Sequence, residues 1–159
     1  MIQDSQIDFN REQIDRLRDL MILNAQAALI LRELTSMELR AELRTNLEEI
    51  ADTHEQHCRF LSKYVLFQDL ETAALSALQR VSQLRRRNRR HIPEQTRLQQ
   101  SLADWNAIEA ELEAAVRKAS VSIGGRFQSF LTTHQKFARR RTQLIEEILN
   151  ETSERVESE

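Results

Sequence analysis

Glycine and proline are almost missing from this chain, at two and one residue in 159. Folds built from many short strands need such residues at their turns, which argues against sandwiches, barrels and doubly wound α/β architectures. Cysteine is scarcer than disulfides require: Cys58 stands alone and cannot close an internal bridge. Long apolar runs are lacking too. The most apolar stretch, residues 20–34, is interrupted by Asn24, Gln26, Arg32 and Glu33. It is too short and too polar to span roughly 30 Å of hydrocarbon, and reads as a buried helix. Residues 1–12 show neither the basic start nor the apolar stretch of a secretory signal, so the expected location is cytoplasmic. What is abundant is helix-forming: Ala, Glu, Lys, Leu and Arg supply close to half of the residues, the mark of long helices and coiled coils. The expected class is all-α, a long antiparallel helical coiled coil, with a four-helix bundle as the alternative.

Hydrophobic spacing divides the chain. Asn10 and Gln13 form a capping pair, after which Ile14, Leu17, Met21, Ala28 and Leu31 repeat at three to four residues. The stripe then shifts to Leu34, Met37, Leu43, Leu47 and Ile50, which either a bend near Thr35 and Ser36 or a wider buried face accommodates. Asp52 with Glu55 and Thr53 with Gln56 make overlapping capping boxes, predicting the next helix start near residues 51–53. That second helix carries Leu61, Tyr64, Phe67, Leu70, Leu75, Leu78, Val81 and Leu84. Over residues 54–90 it would run roughly 55 Å. Pro93, the only proline, predicts a reversal at residues 90–93. A third helix follows through Leu98, Leu102, Trp105, Ile108, Leu112, Val116 and Ile123, meets Gly124-Gly125, and resumes to Leu149. Two glycines cost a helix about 1 kcal/mol each, so three helices and four both remain open, the continuous kinked helix being preferred. One domain over residues 10–150 is expected, with a lead at 1–9 and a polar tail at 151–159 that should fray.

The net charge of −2 conceals alternating blocks. Residues 1–79 are acidic, 80–97 hold seven basic groups against one acid, 98–113 are acidic, 114–145 hold seven basic groups and no acid, and the last fourteen are acidic. An anionic partner is therefore expected.

A basic helix end, a Pro-acidic start, a Gln-rich turn, an acidic-Trp pair and an Arg-Phe step follow one another in the second half. They are residues 85–90, Pro93-Glu94, Gln99-Gln100, Asp104-Trp105 and Arg126-Phe127, and upstream lies FLSKYVLFQDLETAALSALQRVSQLRRR at residues 60–87. This order resembles the last two helices of the BAR domains of sorting nexins, over about residues 60–130. The resemblance implies a three-helix antiparallel coiled coil that dimerises into a curved rod and binds acidic, curved membranes through basic tips and its concave side. Endosomal membrane is the implied location.

Arg85, Arg86, Arg87, Arg89 and Arg90, with His91, crowd one helix end, and Lys118, Arg126, Lys136, Arg139, Arg140 and Arg141 extend the positive potential. Each cation contributes about 1 kcal/mol near anionic lipid, so the expected contact is Arg85, Arg86, Arg87, Arg89, Arg90, Lys118 and Arg126. The plainer reading is a solvated helix end favoured by the helix dipole. Nucleic acid is the lesser anionic candidate, for the chain is net acidic and shows no stacking platform. His54, His57 and Cys58 lie one turn apart, but further ligands are wanting, so they are expected to fill polar gaps in a helix interface and no metal or other cofactor is expected. Trp105 and Tyr64 fall on apolar stripes and read as buried. Residues 20–34 are wide enough to join two chains. No nucleophile has a base beside it, and no enzymatic activity is expected. The expected function is a non-enzymatic, curvature-sensing homodimer on anionic membrane; the alternative is a coiled-coil scaffold that binds a helical protein partner.

Overall fold

Asn10 opens the first helix as its spacing predicts: its Oδ1 accepts from the Gln13 backbone N–H at 2.8 Å, and Gln13 Oε1 accepts from the Asn10 N–H at 3.0 Å. The computed structural model describes residues 9–37, 40–65, 67–89, 94–123 and 128–158. Among them run five helices, α1 (Arg11–Thr35), α2 (Ala41–Ser62), α3 (Phe67–Arg89), α4 (Glu94–Ser122) and α5 (Gln128–Ser158), and no strand.

The all-helical class is as expected; the helix boundaries are not. Near Thr35 and Ser36 the chain reverses rather than bends, since both hydroxyls donate to backbone carbonyls of the last turn, Thr35 to Arg32 and Ser36 to Glu33. The predicted start at residues 51–53 falls inside α2. Asp52 and Glu55 do not cap a helix there; both reach across to Arg32, whose Nη2 stands 2.5 Å from Asp52 Oδ1 and 3.2 Å from Glu55 Oε1. The predicted helix over 54–90 is interrupted at residues 63–65, where the Tyr64 ring packs on Phe9 and Phe60. Neither glycine nor proline stands at residues 63–65, and Tyr64, expected to be buried, is half-buried there.

Nor do residues 94–150 form one kinked helix. Glu109 stands as far before the end of α4 as Arg141 stands after the start of α5, and the two side chains touch, so α4 and α5 fold back on each other as an antiparallel hairpin. Gly124-Gly125 and Pro93 lie outside the described residues. The tail expected to fray is helical as far as Ser158.

α1 is the central helix. It packs against α2, α3 and α4, while α5 lies across the groove that α2 and α4 leave. Leu20, Met21, Ala27, Ile30, Leu31 and Leu34 are fully buried within this one chain, so the run that suggested a subunit junction is covered by the chain's own helices. Two apolar clusters result. One joins the C-terminal half of α1 to Leu47, Trp105, Ile108 and Ile148; the other joins its N-terminal half to Leu61, Leu112, Val116 and Leu131.

The outer helix, α3, reverses part of its predicted stripe: Val81 and Leu70 stay inward, Leu75 and Leu78 do not. Ala73, Ala77 and Val81 face inward, whereas Leu75 and Leu78 are 60% and 56% exposed. Small side chains let α3 lie close on α1, and Arg80 then reaches Gln26 of α1 at 2.8 Å and Glu111 of α4 at 3.3 Å. Leu75 and Leu78 are left outside this contact, and the alanine row takes it.

Candidate functional site

Between the two apolar clusters the bundle buries a polar layer, with one or more residues from each of four helices. Asn24 comes from α1, His54 and His57 from α2, Trp105 and Glu109 from α4, His134 and Arg141 from α5. The Asn24 amide is oriented by its own helix, Nδ2 donating to the Leu20 carbonyl at 2.8 Å. Its Oδ1 therefore faces His54 Nδ1, also at 2.8 Å, which must donate. His54 Nε2 lies 2.7 Å from Glu109 Oε1, so the ring bridges Asn24 of α1 and Glu109 of α4.

Glu109 is the hub of the layer. Its Oε1 also accepts from the Trp105 indole N–H at 2.9 Å, and its Oε2 stands 2.5 Å from Arg141 Nε. Burial alone would raise this carboxyl, but His54, Arg141 and the Trp105 N–H outweigh it and hold Glu109 below the usual carboxylate range. Arg141 is lowered from its ordinary value, first by burial, with Glu109 opposing the shift. At 1% exposure it is not one of the surface cations the sequence suggested. Its charge is neutralised internally.

His57 and His134 extend the layer between α2 and α5, their rings 4.7 Å apart and tilted by 31°, with Phe137 at the edge of His57. Burial, with positive neighbours, pushes His57 down to about 4 and His134 down to about 3. At neutral pH both rings are neutral. Burial raises the half-buried Cys58 thiol, which makes it a poor nucleophile. Among the described residues no group of three or more His, Cys, Asp or Glu is placed to hold a metal ion. The histidines instead fill polar gaps between helices, the plainer of the two sequence readings.

Sequence reasoning found His54, His57 and Trp105 but missed the groups that answer them. The signal was present: Glu109 stands one turn after Trp105, and His134 and Arg141 sit at the seven-residue spacing that continues from Leu131 toward Ile145 and Ile148 on the buried side of α5. A charged residue on an apolar stripe reads easily as surface when its partner is on another helix.

Those of the predicted basic residues that lie within the described part of the chain are spread over three helices. Arg85, Arg86, Arg87 and Arg89 occupy the last turns of α3, where Arg86 is exposed; Arg90 and Arg126 lie outside the described residues. Lys118, exposed, belongs to the opposite end of α4 and borders a shallow cleft with Arg16, Asp19 and Glu111. Lys136, Arg139 and Arg140 are exposed on α5. Among the described residues no helix is long and apolar enough to cross a membrane. No family model, curated protein or solved structure matches the chain.

Proposed function

We propose that this chain is a non-enzymatic helical module that binds an anionic membrane surface peripherally, through the outward face and basic end of α3. The observation that carries the reading is the reversal of α3. This helix buries alanines, presents Leu75 and Leu78 to solvent, and ends in four arginines within its last five residues. Leu75, Leu78 and Arg86 share one side of a 3.6-residue helix, opposite Ala73 and Ala77. Exposed leucines beside arginines suit the boundary between acyl chains and acidic headgroups, where each cation contributes about 1 kcal/mol. The charge is also local, since acidic blocks lie elsewhere in a chain of net charge −2.

This keeps the anionic-lipid contact that the sorting-nexin resemblance implies and does without the long curved rod. Such a rod calls for helices that run on through residues 63–65 and past Ser122. A scaffold that binds a helical protein partner, or a second copy of the chain, is the alternative, and Leu75 and Leu78 are also what favours it.

Co-sedimentation with vesicles separates the two. Binding to phosphatidylserine-containing vesicles, absent from neutral phosphatidylcholine and weakened by salt, is expected. Replacing Arg85, Arg86, Arg87 and Arg89 by Glu should abolish it, and Leu75→Ser with Leu78→Ser should weaken it at least tenfold. Unchanged binding in both variants would reject α3 as the contact. Self-association or partner capture without lipid affinity would favour the scaffold.

A further inference from the structure

The polar layer has a use that surface binding does not call on. Glu109 is the one buried carboxylate among the described residues, and Arg141 and His54 both bear on it already. His57 and His134 sit in the same layer at the seam between α2 and α5. Among the titratable and charged groups that bear on them are each other, His54 from α2, Glu109 from α4 and Arg141 from α5. Asn24, from α1, is uncharged. A proton taken up by either ring thus adds positive charge beside a buried guanidinium and a second imidazole, in a region flanked by apolar clusters on both sides.

The consequences fall unequally on the helices. α1, α2, α3 and α4 are joined through contacts to α1 that do not involve the His57–His134 pair. α5 is held chiefly by α4 and by the seam with α2, away from the main contacts that gather α2, α3 and α4 around α1. A cleft of about 270 Å³ already runs along the same seam between Asn46, Glu49, Ile50 and Thr53 of α2 and Phe137, Arg140 and Leu144 of α5. Water reaches the seam's edge before anything moves.

We propose that α5 is an acid-released latch, in which protonation of His57 and His134 drives it out of the groove between α2 and α4 while α1 to α4 stay assembled. Release uncovers the apolar side of α5, Leu131, Leu144, Ile145 and Ile148, together with Leu47 and Ile108 beneath it. In the released state both imidazoles return to the ordinary value near 6.5. Each then favours release by up to about tenfold per pH unit below it.

Trp105 supplies the optical readout, being the only tryptophan and fully buried against Glu109. Acidifying the intact protein from pH 7 toward pH 4 should shift its emission to the red while far-UV circular dichroism retains its helix signal. Amide exchange, corrected for its intrinsic pH dependence, should accelerate at least tenfold in α5 and stay slow in α1. His57→Gln with His134→Gln should move the fluorescence midpoint down by a pH unit or more. The proposal fails if emission and helix signal change together, if exchange accelerates equally in α1 and α5, or if the midpoint stays put in the double variant. Should that variant not fold, the exchange pattern of the unaltered chain decides alone.

Discussion

The centre of the bundle and the outer side of α3 break the same rule in opposite directions. At the centre, Arg141, Glu109 and His54 are buried; on α3, Leu75 and Leu78 are exposed while alanines lie inside. The buried exceptions answer one another in charge, Glu109 Oε1 meeting His54 and the Trp105 N–H while its Oε2 lies against Arg141. The exposed leucines stand in solvent. Internal exceptions of opposite charge draw four helices to one another, whereas an external one directs attention to what lies outside the chain.

Removing the hub of the inner region should cost most. Glu109→Ala leaves Arg141 and His54 buried without their carboxylate and is expected to lower stability by about 3–5 kcal/mol in urea denaturation. Pairing a leucine at 109 with Arg141→Met should recover a good part of that loss, because two apolar side chains then replace two buried charges. If Glu109→Ala is tolerated within about 1 kcal/mol, the layer is not what joins the four helices.

Acid should separate the regions next. His57 and His134 sit at about 4 and about 3 in the fold, below the ordinary 6.5, so the unfolded chain takes up protons before the folded one does. Their contribution is complete above pH 6.5 and drains as pH falls through the range down to their folded values, by at most about 1.4 kcal/mol per pH unit for each ring. Glu109, held below 4.5, adds its own loss at still lower pH. A urea midpoint that is flat from pH 7 to pH 5 would contradict this. The smallest change belongs to α3: Leu75→Ser with Leu78→Ser should leave the midpoint within about 0.5 kcal/mol, since neither side chain holds the fold. A large loss would show that α3 needs those leucines at home.

Composition made the helical class legible, and the periodicity named most of the core, including Leu102, Trp105, Ile108 and Leu112. The breaks were less legible because they depend on remote partners. Asp52 and Glu55 have capping-box spacing, yet Arg32, twenty residues or so upstream, claims both. At the turn the Tyr64 ring meets Phe9, which precedes α1 and is remote in sequence. For α3, periodicity weighed leucine above alanine, although a helix that must lie close on another is served by the smaller side chain. The basic end of α3 was visible at once, but its leucines were assigned to the core. Arg141 reads as surface beside Arg139 and Arg140, and only its place in the row of His134, Ile145 and Ile148 marks it as buried.

The central position of α1 also sets an order of events during synthesis. Its residues are made before α2, α3 and α4, yet all three are needed to cover it. At about 5–20 residues per second, the ribosome takes several seconds to supply the last of them. For that interval the greasiest segment of the nascent polypeptide is sheltered by α2 and then α3 but lacks α4, which leaves a side open to a chaperone's grip.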